Sequence, residues 1–163
     1  MKAYLNLGFA ILIIVAFIFS ISSKEKIISD GEIIYLALAP VDPRSIMQGD
    51  YMRLRYEIET ERAKTKTGYL ILELDDKNIA SFVKFNDNTT ITQKQIMFKY
   101  IAKGSRVNIA PSSFLFQQGL REVYQRAKYG IFRVSDKQHL LVGLADDDLK
   151  EIKPPIPENS DQD

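Results

Sequence analysis

Near its start the chain has an apolar stretch, residues 3–23, with no charged residue and no polar face at helical spacing. At about 1.5 Å of rise per residue, a helix over this stretch is about 30 Å long, which matches the hydrocarbon layer of a bilayer. We therefore predict a transmembrane signal anchor over residues 1–23, with residues 3–23 in the lipid bilayer, and a linker over residues 24–31. A cleaved signal peptide is the alternative, although Ser-Ile-Ser at 20–22 is a poor cleavage sequence.

Alternating apolar and polar positions dominate the next part of the chain, and a period of two is typical of half-buried strands. The clearest run places four side chains on one face of a predicted strand: Met52, Leu54, Tyr56 and Ile58. Further strands are predicted over residues 32–39, 68–74, 79–85 (apolar at Ile79, Val83 and Phe85), 95–101 and 106–110. Turn-forming residues at 75–78 and 86–90 separate several of these runs, so we expect successive antiparallel strands.

After Pro111 the apolar spacing becomes helical. Ser112 and Ser113 offer an N-cap, and Gly130 ends the pattern. We predict one amphipathic helix of about three turns with its apolar face at Leu120, Val123, Tyr124 and Ala127. Beyond it, residues 131–134 and 139–144 predict a hairpin, and the aspartates at 146–148 predict a short helix with an acidic first turn.

Together these patterns predict a mainly β (α+β) fold, in which a single N-terminal transmembrane helix precedes an antiparallel β domain with one packed amphipathic helix. The β-rich domain is expected over residues 32–153. Residues 154–163 contain three prolines and almost no apolar side chain, so we expect a disordered tail.

Charge and composition exclude several classes of function. The 22 Lys and Arg residues against 21 Asp and Glu leave no excess positive charge for a nucleic acid backbone, so no nucleic acid partner is expected. The chain has no cysteine, and its one histidine, His139, is expected on the surface or on an edge strand rather than in a zinc site. The acidic runs at 75–76 and 146–148 lack the pattern of a calcium loop. No metal and no cofactor are therefore predicted.

The most unusual segment is residues 40–58. Pro43 favours an extended Asp42, and Gly49 before Asp50 permits a tight turn just where a strand begins. Residues 49–56, Gly-Asp-Tyr-Met-Arg-Leu-Arg-Tyr, have the spacing of the GDYXXLXY family of bacterial proteins, which the chain resembles. The likeness extends to residues 38–45 and to Phe-Leu-Phe-Gln-Gln-Gly at 114–119, where Gln118 replaces the expected glutamate.

The resemblance implies a membrane-anchored protein with a mostly β domain, no established biochemical activity and a polytopic membrane protein as partner. Its motif supplies the candidate binding residues, in a structural or interaction role: Asp42, Arg44, Gly49, Asp50, Tyr51, Leu54 and Tyr56. We expect a membrane-anchored extracytoplasmic interaction module, or an accessory subunit of such a partner, without catalysis. A small-ligand-binding β domain is one alternative.

A serine hydrolase is the other alternative. Ser45, which precedes Gly49 and Asp50, lies in a context distantly similar to that of signal peptidases, in which a lysine activates a serine nucleophile. The candidate bases are Lys64, Lys66 and Lys84. The spacing differs from that family, so Ser45 is a minor hypothesis.

Overall fold

The computed structural model describes residues 2–39, 47–48, 51–86, 90–109, 111–135 and 138–154. Its helices are α1 (Lys2–Asp30) and α2 (Arg121–Tyr124), with a 3₁₀ helix, η1, over Glu57–Thr60. Its strands are β1 (Glu32–Ala37), β2 (Met47–Gln48), β3 (Tyr51–Arg53), β4 (Thr67–Leu74), β5 (Ile79–Phe85), β6 (Gln95–Lys103), β7 (Arg106–Asn108), β8 (Ser113–Leu115), β9 (Tyr129–Ser135) and β10 (Gln138–Ala145). This mainly β architecture behind an apolar N-terminal helix confirms the predicted fold class.

Helix α1 continues without a break through the segment that the sequence indicated as a linker. Its last turn packs on the β domain, where Ile27 is 5% exposed. The helix ends at Gly31, whose N–H donates to the Ile27 carbonyl and whose own carbonyl accepts from Arg133 Nη1 at 2.8 Å. Residues 24–30 are thus helical, and the contact of Ile27 with the β domain is one that the charged local sequence does not reveal.

Seven strands form one curled sheet in the order β10-β9-β1-β5-β4-β6-β7. All described neighbours are antiparallel except β1 and β5, which run parallel with Tyr35 opposite Ile79. The strands predicted in this region are found within a few residues of their expected bounds. The core lies on the inner side of the curl, and its fully buried side chains include Ile34, Leu36, Leu70, Leu72, Phe98 and Phe132.

A β-bulge changes which residues of β5 face the core. The ladder with β4 pairs Leu72 with Phe82 but Ile71 with Lys84, so Val83 has no direct partner. Ala80 and Phe82 pack on the core, whereas Val83 is 40% exposed. The predicted apolar face of Ile79, Val83 and Phe85 is therefore wrong, because the bulge shifts the alternation by one position and brings Phe85, but not Val83, to the core side.

The predicted three-turn helix after Pro111 is mostly absent. Residues 113–115 form β8, which pairs with β3 in a three-stranded sheet of order β2-β3-β8. Phe114 lies opposite Met52, and Gly119 has φ +88°, a conformation that ends any helix before it. Only the single turn of α2 is helical, because β3 offers residues 113–115 a strand partner.

Two further expectations differ from the structure. Regular pairing of the strand predicted through Ile58 ends at Arg53, yet Met52, Leu54, Tyr56 and Ile58 are all buried as their alternation indicates. At 146–148 a turn replaces the predicted helix. Asp146 Oδ1 accepts the N–H groups of Asp148 and Lys150 at 3.1 and 3.0 Å, which favours a turn over a helix. Of the predicted disordered tail, residues 155–163 lie outside the described part of the chain.

Candidate functional site

The motif residues divide into two groups. Asp42, Arg44, Ser45, Gly49 and Asp50 lie outside the described residues. Tyr51, Leu54 and Tyr56 lie within them: Tyr51 is half-buried in β3 opposite Leu115, and the other two side chains are buried in the core. A ligand on the surface therefore cannot reach Leu54 or Tyr56 without opening the fold. The ladder between β3 and β8 also brings the motif next to the segment that begins at Phe114.

Tyr56 is a fully buried aromatic residue at the centre of the domain. Its ring meets Phe132 edge-on, with 5.5 Å between centroids. Gly130 permits this contact, since a Cβ there would lie 2.9 Å from Tyr56 Cε1. The Tyr56 hydroxyl is buried and has no hydrogen-bond partner among the described residues. Burial, and secondarily the charge of Glu59, raises the pKa of Tyr56 above its ordinary value. The side chain is thus a neutral packing element.

Glu59 connects the motif to the end of β7. Its carboxylate accepts the backbone N–H of Tyr56 at 3.3 Å and that of Ile109 at 3.4 Å. Burial raises the pKa of this half-buried carboxyl group, while the two hydrogen bonds and Arg55 act in the opposite direction. Because both oxygens accept main-chain N–H groups, the Glu59 side chain is held in one position.

A groove of about 370 Å³ lies beside Glu59, between η1 and the β6–β7 hairpin. Three cationic residues line it: Arg55, Lys103 and Arg106. Thr60 and Asn108 add a hydroxyl and an amide. Charge spacing along the sequence did not indicate this site, because its residues come from two separate segments, 55–60 and 103–108, which meet only in the folded chain.

His139 closes the curled sheet. It belongs to the edge strand β10, as the sequence led us to expect, but its ring is largely buried and stacks on Phe98 with 3.8 Å between centroids. Nε2 lies 2.6 Å from the Ile109 carbonyl oxygen, which can only accept, so Nε2 carries a proton. Nδ1 is buried without a partner among the described residues. Burial lowers the pKa of His139, and Lys24 and Lys99 act in the same direction.

The hydrolase hypothesis receives no support from its candidate bases. Lys64, Lys66 and Lys84 are exposed, whereas a lysine that activates a serine needs a desolvated site to lower its pKa. Lys64 lies over the ring of Phe85, 6.0 Å from the centroid. Within the described ranges there is no group of three or more His, Cys, Asp or Glu side chains that could hold a metal ion.

Residues 114–119, to which the family likeness extends, contribute an aromatic packing unit. Phe114 and Phe116 both contact the ring of Tyr124, with centroids 5.5 and 5.1 Å away. Gln118 lies on the exposed turn before Gly119. This segment therefore adds a strand to the small sheet and packs its two phenylalanines on Tyr124.

Comparison with known proteins gives one match. The family model described as GDYXXLXY protein matches residues 13–144, which is most of the chain. No curated protein and no solved structure matches.

Proposed function

This chain belongs to the GDYXXLXY protein family, and from that premise we propose that it is a single-span membrane protein whose β domain is an extracytoplasmic interaction module. In this proposal it acts as an accessory subunit of a polytopic membrane protein and has no catalytic activity of its own. The observation that carries the proposal is the continuity of α1 from its apolar part into the β domain.

The apolar part of α1 is unsuited to water. The helix is long and apolar enough to cross a membrane, and no residue of its most apolar window is buried against the rest of the protein. Phe9, Phe17 and Phe19 are each at least 65% exposed. Since burying one large apolar side chain is worth about 1.5–3 kcal/mol, a lipid environment for this helix is strongly favoured. The helix also passes through the Ser-Ile-Ser at 20–22 without interruption, which favours an anchor over a cleaved peptide.

The C-terminal turn of α1 is part of the β domain. Ile27 is buried there, and the Arg133 guanidinium binds the Gly31 carbonyl, so the junction has both an apolar and a polar contact. A membrane helix whose last turn packs on the domain in this way limits the rotation of the domain relative to the membrane. The β domain then presents the same surface at a fixed height above the bilayer, as an accessory subunit requires.

Retention of a partner tests the function. The full chain would be extracted in mild detergent and affinity-purified beside a matched control in which residues 6–22 are replaced by an unrelated apolar span. We expect a polytopic membrane protein in fixed stoichiometry with both chains, because the proposal assigns recognition of the partner to the β domain that they share. Monomer alone in both preparations, also after cross-linking in intact membranes, would contradict the accessory role.

The side of the membrane is tested by a separate experiment. The chain has no cysteine of its own, so one introduced thiol reports on one position. Ser105 lies in the exposed turn between β6 and β7, so Ser105→Cys introduces a single accessible thiol. We expect a membrane-impermeant maleimide to label this thiol in spheroplasts, without permeabilisation of the inner membrane. Labelling that appears only after that membrane is permeabilised would place the domain in the cytoplasm and refute the extracytoplasmic part of the proposal.

A further inference from the structure

The groove between η1 and the β6–β7 hairpin has a charge that the domain as a whole lacks. Lys2 is the only charged side chain before residue 24, so the rest of the chain has 22 − 1 = 21 basic against 21 acidic residues. The groove lining, by contrast, has three cations, Arg55, Lys103 and Arg106, against the single carboxylate of Glu59. Such a local concentration of one sign attracts ions of the opposite sign.

The three cations are available to a ligand. Each is exposed, and none forms a direct ion pair with a carboxylate in the described part of the chain. The carboxylate of Glu59, which is held by two backbone N–H groups and interacts with Arg55, offsets one of the three positive charges and leaves the groove positive. Two of the cations are arginines, whose planar guanidinium groups can bind a carboxylate through two parallel hydrogen bonds.

The topology puts this groove at the end of the sheet away from α1. Strand β1 runs away from the helix, β5 is parallel to β1, β4 is antiparallel to β5, and β6 is antiparallel to β4. Strand β6 therefore also runs away from α1 and turns at Gly104 into β7. The anionic headgroups of the bilayer that holds α1 are thus an unfavourable explanation for the positive charge.

The size and charge of the groove favour a peptide as its occupant. A volume of about 370 Å³ corresponds to about a dozen water molecules at about 30 Å³ each, which is more than one small anion fills. A nucleic acid would need a longer positive surface than three side chains in a neutral domain provide. An extended segment with several carboxylates matches both the open shape and the number of cations.

We propose that the groove of Arg55, Lys103 and Arg106 binds an acidic segment of the membrane partner through its Asp and Glu side chains. This inference rests on the proposed accessory function and identifies the surface by which the partner is recognised. Arg55 belongs to the family motif, between the buried Leu54 and Tyr56. The two buried neighbours fix the backbone of Arg55 and so aim a charged side chain at the groove.

The test uses the full chain in nanodiscs of zwitterionic lipid and a fluorescent peptide of alternating glutamate and glycine, with the glutamine peptide as control. Binding is measured by anisotropy. We expect saturable binding of the acidic peptide only, several-fold weaker at high ionic strength because exposed charge pairs are screened. The Arg55→Gln/Arg106→Gln double variant should bind about tenfold more weakly, as expected for the loss of two exposed charge pairs.

A matched double variant, Arg121→Gln/Arg126→Gln, removes the same charge from exposed positions outside the groove. It should bind the acidic peptide like the natural chain, and equal losses in both double variants would overturn the proposal. If the groove variant does not fold, Lys103→Gln in the hairpin serves instead, with an expected loss of several-fold. A chain ending at residue 154 controls for competition by the carboxylates of residues 155–163.

Two outcomes overturn the assignment: no saturable peptide binding by either chain length, or equal binding of the glutamine peptide. A third is a groove variant that loses affinity for phosphatidylserine vesicles but not for the peptide, which would make a lipid surface the ligand. If the peptide does not bind but a partner still co-purifies, the proposed role of the groove is refuted and the accessory function is not. If the peptide binds but no partner co-purifies from the cell, the role of the groove is supported and the accessory function is refuted.

Discussion

Replacing the motif tyrosine by phenylalanine should stabilise the β domain. The Tyr56 side chain is 0% exposed, and its hydroxyl has no hydrogen-bond partner among the described residues. A buried polar group without a partner costs about 1–3 kcal/mol, because it has lost its bonds to water. Tyr56→Phe removes that group, keeps the ring contact with Phe132 and leaves only a small void. We expect the free energy of unfolding to rise by about 1 kcal/mol, which corresponds to about 3–5 °C in Tm for a domain of this size.

Tyr100 provides the matched control with the opposite sign. It is 2% exposed, but its hydroxyl lies 2.8 Å from Thr65 Oγ1, within hydrogen-bond distance. Tyr100→Phe leaves the threonine hydroxyl without that partner, so we expect it to lower the free energy of unfolding by about 1 kcal/mol. The two variants, chemically identical changes in the same core, should therefore differ by about 2 kcal/mol.

Urea unfolding of the full chain in detergent, followed by near-ultraviolet circular dichroism, measures both effects. The comparison is made on midpoints at equal slope, since a changed slope would indicate a changed unfolded state or an intermediate. If Tyr56→Phe lowers stability as much as Tyr100→Phe does, the Tyr56 hydroxyl has a partner, and the description of Tyr56 as a packing residue is wrong.

Three further predictions concern the positions that hold the curled sheet and the helix together. Gly130→Ala should destabilise the domain by about 1–3 kcal/mol, since the new Cβ would lie 2.9 Å from Tyr56 Cε1; urea unfolding measures this, and an unchanged midpoint would refute the close contact. The folded-state pKa of His139 is lowered, so the unfolded chain binds more protons, and stability should decline as the pH falls below about 6.5. His139→Gln should remove that part of the acid sensitivity in melting curves, and an unaltered pH profile would exclude His139 as its source. Ile27→Ala should increase hydrogen exchange at residues 27–31 without affecting β4 and β6, whereas faster exchange throughout would mean that the helix junction stabilises the whole domain.

Local pattern was sufficient for much of the fold, because a strand or helix with one buried face needs apolar residues at a fixed period. The alternation at Met52, Leu54, Tyr56 and Ile58 correctly identified four buried side chains even where regular pairing stops. The uncharged residues 3–23 indicated a helix able to span a bilayer, and α1 contains them. The motif in residues 49–56 also identified the family, which the family match confirms.

The local pattern did not predict which segments pair with each other in the sheets. Residues 113–115 form a strand instead of a helix because β3 offers them hydrogen bonds, and β1 pairs with β5 in parallel across a long sequence separation. One bulge in β5 is enough to bring Phe85 to the core side. Each of these outcomes depends on contacts between distant segments, whose energies a short window of sequence does not contain.

The candidate site shows the same division. The sequence by itself determined that Leu54 and Tyr56 face inwards and that Arg55 between them faces outwards, because side chains alternate along extended backbone. Only the tertiary structure decided what Arg55 faces. Backbone hydrogen bonds between residues 61–63 and the β6–β7 hairpin hold η1 beside it, so Arg55 shares a groove with Lys103 and Arg106 although about fifty residues separate them. Cations that are far apart along the chain form a single positive surface only in the folded state, where packing offsets the conformational entropy lost in bringing them together.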